Sequence, residues 1–215
     1  MTQTTTRIEP AKPVEVQTLV EVARGSKRMT SDYEKGRLLA EVAKRYVRSD
    51  SLRDAYLDAV FSMTSDYERS KALIALLERD SIPSSHTVKV LRSAALMTSD
   101  ASRATVLKKI SPLTFTDTTV QRAWVDVIVA MTSDYERSQA ISLLVKEPNL
   151  TRTVQMALLR ATSAITSNSD KANVLVLFVS KQGIADDTVR KSFLKIAEGL
   201  TSDSDYRRVM TAMMR

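Results

Sequence analysis

Met29-Thr30-Ser31-Asp32-Tyr33-Glu34 is a phrase that this chain repeats. It returns unchanged at Met63–Glu68 and Met131–Glu136, and in altered form at Met97–Ser102, Ile165–Asp170 and Leu200–Asp205. The copies start at 29, 63, 97, 131, 165 and 200, an interval of 34 residues that slips to 35 at the last. A fixed period of this length marks a stacked supersecondary unit, because one such unit cannot bury its apolar face alone.

With each start taken as position 1, the phrase reads as the beginning of a helix. Ser31 suits an N-cap, and Glu34 three residues later makes a capping box. Asp32 lies in the first turn, where a carboxylate meets the positive end of the helix dipole. Ser65, Asp66 and Glu68 repeat this arrangement, as do Ser133, Asp134 and Glu136. Ser167/Asp170 and Ser202/Asp205 keep a shorter acid, and Ser99/Ser102 has none. Each cap is worth about 1 kcal/mol.

Position 8 is small in five copies: Gly36, Ser70, Ala104, Ser138 and Ala172. A small residue at each repeat lets a neighbouring backbone come close. The sixth copy has Arg207 there instead. Positions 10, 11 and 14 are apolar in copy after copy, from Leu38, Leu39 and Val42 to Val174, Leu175 and Phe178, which predicts a buried stripe on a helix A of about 13 residues. Breakers follow at Pro83, Pro112, Pro148 and Gly183. A second stripe then runs through position 24 (Leu52, His86, Val120, Val154, Val189) and position 28 (Tyr56, Val90, Trp124, Leu158, Phe193). This is helix B, and each repeat is an antiparallel helix pair.

The predicted fold is all-α, a right-handed α–α superhelix of about six 34-residue helix pairs. Residues 1–13 read as a flexible segment and 14–215 as a single solenoid domain. The domain opens on a half repeat at 14–28, continues with full repeats starting at 29, 63, 97, 131 and 165, and closes on a half repeat at 200–215. The half repeats act either as caps or as complementary faces for head-to-tail assembly.

Composition agrees with a globular helical chain: 43% of the 215 residues are hydrophobic, 27% are charged, and only four are Gly. With no Cys, neither a disulfide framework nor a thiolate metal site is possible. No apolar run reaches the roughly 18 residues that would span a bilayer. The N-terminus lacks the apolar core of a signal peptide. A soluble protein is expected, cytoplasmic by default and periplasmic if it was cut from a membrane-anchored one. The net charge of +7 raises nucleic-acid binding, but +2 of it lies in residues 1–28 and +3 in residues 206–215. A body this close to neutral makes a phosphate-tracking face a poor expectation.

The Ser-Asp-Tyr-Glu-Arg/Lys phrase followed by Leu-Leu or Ala-Leu-Ile resembles HEAT-like repeats found behind some bacterial BlaR-type membrane metallopeptidases. The repeat length also matches the tetratricopeptide unit, although no Trp-x-x-Leu-Gly-x-x-Tyr phrase opens helix A. There is no His-Glu-x-x-His, and His86 is the only histidine. The resemblance implies an accessory interaction or sensing module, not a catalyst.

Candidate sites have ordinary readings beside the functional ones. A row of Asp32, Asp66, Asp100, Asp134 and Asp203 could bind calcium. Each acid is explained by its helix start, however, and Lys35, Arg69, Arg103, Arg137 and Lys171 follow to neutralise them. His86 has no Cys or nucleophile-elbow Ser to work with and reads as a half-buried helix-B residue. Trp124 reads as core. Tyr33, Tyr67 and Tyr135 are expected to fill the seam between repeats, with an exposed aromatic row for a partner as the alternative. Met210, Met213 and Met214 are either core or an adaptable docking surface. The functional expectation is a non-enzymatic protein–protein interaction scaffold without cofactor, metal or small-molecule substrate. The alternatives are a subunit polymerising head to tail and, less favoured, a nucleic-acid-binding solenoid.

Overall fold

A computed structural model describes residues 13–110, 115–148 and 150–214. The predicted flexible segment (up to residue 12) and Pro112 lie outside the described residues. Among the described residues the regular elements are α-helices, apart from a short 3-10 turn at 115–116. The A helices are α2 (Asp32–Lys44), α4 (Asp66–Leu77), α6 (Asp100–Leu107), α8 (Asp134–Val145), α10 (Asn168–Gln182) and α12 (Asp203–Met213). The B helices are α1 (Pro13–Ser26), α3 (Asp50–Phe61), α5 (Ser84–Ala95), α7 (Thr118–Ala130), α9 (Arg152–Ser163) and α11 (Asp187–Glu198). None of these is long and apolar enough to cross a membrane.

All six A helices begin just after the phrase serine, and the side chains of Ser31, Ser65, Ser99, Ser133, Ser167 and Ser202 each accept the amide three residues on. This satisfies one of the orphan N–H groups of a helix start. Four B helices are side-chain capped as well, by residues outside the phrase: Ser49, Asp117, Thr151 and Asp186 serve α3, α7, α9 and α11. Helix α10 runs to 15 residues and stops at Gly183, whose φ of 68° suits glycine. Helix α6 is cut to eight residues, shorter than the period suggests.

The chain divides into two compact units, Met1–Ser81 and Ile82–Arg215. Within the first, α1 packs on α3 and α2 on α4, while α1–α2 and α3–α4 contacts join the two layers. Within the second, the A layer pairs α6 with α8, α8 with α10 and α10 with α12. Its B layer pairs α5 with α7, α7 with α9 and α9 with α11. Each helix therefore packs on its counterpart one repeat away, which is the helical-repeat architecture that the period predicts.

Burial follows the stripes. Positions 10, 11 and 14 are buried in α4, α8 and α10, and the equivalent Val106, Leu107 and Ile110 are buried around α6. In α2, Leu39 and Val42 are buried and Leu38 is half-buried. Positions 24 and 28 are buried in α3, α5, α7, α9 and α11, His86 among them. Trp124 is core as expected, 1% exposed, and its indole N–H donates to the Ala140 carbonyl at 3.0 Å. Tyr56 holds the same position one unit earlier and donates to Ala72 O at 2.9 Å. In both cases a large ring fills the layer and its polar atom meets a carbonyl 16 residues on, so burial leaves no orphan donor.

Candidate functional site

The phrase does more than cap. Asp32 Oδ2 accepts the backbone N–H of Ser65 at 2.7 Å, that of Thr64 at 2.7 Å, and the Thr64 hydroxyl at 2.9 Å. Asp100 does the same for Ser133 and Thr132, and Asp134 for Ser167 and Thr166. In the next copy Asn168 Oδ1 accepts the Thr201 amide while its Nδ2 donates to the Thr201 hydroxyl. The position-4 residue is thus a clamp on the Thr-Ser turn of the following repeat. The N-cap amide that a capping-box Glu would normally take is already engaged from the preceding repeat.

The cation at position 7 completes the clamp. Arg103, buried at 7% exposure, pairs with Asp100 Oδ1 at 2.6 Å and donates to the carbonyls of Ala130 and Met97. Arg137 reaches Asp134, Ala164 O and Met131 O in the same way. Lys35 reaches Asp32, Ser62 O and Ser62 Oγ. One guanidinium or ammonium therefore ties the phrase to the end of its own helix B. Burial works against ionisation of Asp32 and Asp100, but the amides of Ser65 and Thr64, and of Ser133 and Thr132, outweigh it and hold both carboxyls below the usual range. Asp134 is held low chiefly by the Thr166 hydroxyl.

The small residue at position 8 is explained at Gly36. A Cβ there would stand 2.7 Å from Glu68 Oε2, so glycine makes room for the position-6 acid of the next repeat.

The first unit holds a second tie that the period does not announce. Asp80, whose side chain is 0% exposed, pairs with Arg53 at 2.6 Å and Arg48 at 3.1 Å and accepts the Tyr46 phenol at 2.9 Å. Burial, and then the carboxylate it donates to, pushes the Tyr46 phenol above the ordinary tyrosine range. In the second unit, amides do this work: Gln155 donates to Gln182, and Gln182 donates to the carbonyls of Val145 and Glu147. Sequence reasoning missed this tie because its chemistry differs from repeat to repeat.

The tyrosines are not in the seam. Tyr33, Tyr67 and Tyr135 are 55%, 65% and 59% exposed. With about 3.6 residues per turn, position 5 lies across the helix from Lys35, Leu39 and Val42, and the seam itself is closed by the Asp and Arg clamp. In the first unit Arg37 lies over the Tyr33 ring at 5.8 Å and Lys71 over Tyr67 at 4.9 Å. The same two cations, Arg37 and Lys71, line a groove of about 270 Å³ between α2 and α4, with half-buried Ala40, Ile74 and Ala75 and exposed Glu78 also along it. Exposed aromatics, flanking cations and apolar lining residues make this a candidate docking surface. Met210 and Met213 are half-exposed and Met214 is 80% exposed. Among the described residues no group of three or more His, Asp or Glu side chains is placed to hold a metal ion.

No protein-family model and no curated protein matches this chain. A solved chain described as "Computational Design of Self-Assembling Cyclic Protein Homooligomers" is similar over 94% of this chain and 77% of its own length, at 13% identity and a TM-score of 0.24.

Proposed function

We propose that this helical-repeat protein is a non-enzymatic docking scaffold that takes a polypeptide across the A-helix face of its first unit. The observation that carries the reading is the pair of exposed tyrosines, Tyr33 and Tyr67, each stacked by a cation, Arg37 or Lys71, that also lines the groove of Ala40, Ile74 and Ala75 between α2 and α4. Tyrosine and arginine are, with tryptophan, the residues most enriched where binding energy concentrates, and a tyrosine ring brings large area at low entropic cost. The groove suits a segment that lays apolar side chains on Ala40, Ile74 and Ala75 and sets carboxylates against Arg37 and Lys71. The absence of an enzymatic role is part of the proposal: the phrase's acids and cations are taken up by inter-repeat bonds. The resemblance of the phrase to HEAT-like repeats behind BlaR-type metallopeptidases supports a module of the same accessory kind.

The test is a selection of displayed random peptides on the folded protein, followed by titration of the winners against Tyr33→Ala/Tyr67→Ala. Binding weakened at least about tenfold, with an unchanged thermal midpoint, supports the reading. Winners that bind the double variant as tightly as the parent contradict it.

A further inference from the structure

Within each unit, every described phrase that has a successor is clamped to it: Asp32 to Thr64 and Ser65, Asp100 to Thr132 and Ser133, Asp134 to Thr166 and Ser167, and Asn168 to Thr201. Two halves of this joint stand open among the described residues. Asp203 occupies position 4 of the last copy; it is exposed, and no described residue bonds its carboxylate. Thr30 and Ser31 form the receiving turn of the first copy; they too are exposed, and no carboxylate holds their amides.

The apolar positions are open in the same register. Met210 and Met213 stand at positions 11 and 14 of α12. The residues at those positions in α4, α8 and α10 are 0% exposed, whereas these two are half-exposed. Met29, at position 1, is half-exposed, whereas Met63, Met97, Met131 and Ile165 are each 1% exposed. Helix α1, a helix B, leaves Val16, Leu19 and Val22 half-exposed, three apolar residues at helical spacing. So α12 is a helix A with core positions uncovered, and α1 is a helix B with an uncovered apolar side.

Charge agrees with the same alignment. In the first unit, position 8 of one repeat (Gly36) lies against position 6 of the next (Glu68). Position 8 of the last copy is Arg207 and position 6 of the first is Glu34, both exposed. The one copy that breaks the small-residue rule thus carries a cation where the receiving phrase offers an acid.

We propose that a second copy of this chain docks head to tail on the first. Its α1 continues the B layer on α11 and its α2 continues the A layer on α12, and together they cover Met210 and Met213. Its Thr30–Ser31 turn seats on Asp203, and its Glu34 pairs with Arg207. The contact repeats across molecules the clamp that each unit makes within itself, and it is heterologous, so each copy offers one donor end and one acceptor end. Glu34 also pairs with the groove's Arg37 at 3.9 Å, whereas Arg207 and Met213 lie on α12 outside the groove, so their variants test association separately from peptide docking.

Sedimentation velocity on the full chain over a concentration series tests it. Association is expected to rise with concentration and to weaken at least about tenfold in Arg207→Glu and in Glu34→Arg, since like charges then face each other. The Arg207→Glu/Glu34→Arg double variant is expected to regain it, because the pair is restored with signs exchanged. Met213→Asp is expected to abolish association, and circular dichroism checks that each variant remains folded. A monomer at every concentration overturns the proposal. Association that ignores both single reversals, or that the double variant fails to restore, overturns it equally by placing the contact elsewhere.

Discussion

The backbone amide of Ser133 donates to Oδ2 of Asp100 at 2.7 Å, across 33 residues of chain. That oxygen also accepts the amide and hydroxyl of Thr132, and Oδ1 takes Arg103. One half-buried carboxylate therefore neutralises a buried guanidinium and satisfies the turn that starts α8. Deleting it leaves Arg103 uncompensated in a site where its own exposure is 7%. Asp100→Ala is expected to cost about 3 kcal/mol in urea unfolding. Asp100→Asn is milder, about 1 kcal/mol, because Asn168 already holds Thr201 with an amide. Equal losses for the two variants would count against the clamp.

Acid weakens the same joints. Asp32, Asp100 and Asp134 titrate below the usual aspartate range in the folded chain. A carboxyl depressed on folding contributes stability that is fully present above its unfolded value, about pH 4, and is lost as pH falls through its folded value. The thermal midpoint is expected to hold from neutrality to about pH 4 and then to drop. In Asp32→Asn/Asp100→Asn/Asp134→Asn the drop is shallower. An identical acid limb in parent and triple variant would assign the acid sensitivity to other groups.

Asp80 offers a separate test in the first unit. Its side chain is fully buried between Arg53, Arg48 and Tyr46. Asp80→Ala leaves the buried Arg53 guanidinium with exposed Asp50 as its one remaining ion-pair partner and the Tyr46 hydroxyl without its acceptor, and is expected to cost about 3 kcal/mol, while Arg53→Met/Asp80→Leu recovers most of that loss. Chemical denaturation of the three proteins measures it. A double variant no better than the single would mean that the ion pair itself, not relief of a stranded charge, sustains the fold.

The helix pairs, their caps and the apolar stripes were legible because each depends on residues within one turn or one helix of each other. The Ser31 cap and the Leu73–Leu76 stripe needed only local spacing. The role of Asp32 was half legible. Its place in the first turn is visible in the chain, but its partners, Thr64 and Ser65, lie a full repeat away, and a carboxylate suits a helix start without them. Tyr33 takes the exposed alternative instead of the seam because the turn of the helix sets position 5 opposite Leu39, and that outweighs the general tendency of aromatics to bury. The Asp80 cluster left no periodic trace: Gln182 and Gln155 do with amides in the second unit what Asp80 and Arg53 do with charge in the first.

The central claim is that the recurring phrase is a joint between successive repeats. Residue-resolved hydrogen exchange tests it most directly, on the amides of Thr132 and Ser133. These lie ahead of α8 and have no helical acceptor, so only Asp100 can protect them. Slow exchange is expected at both in the parent and fast exchange at both in Asp100→Ala, with the interior of α8 still protected. Exchange at the rate of an open loop in the parent would contradict it.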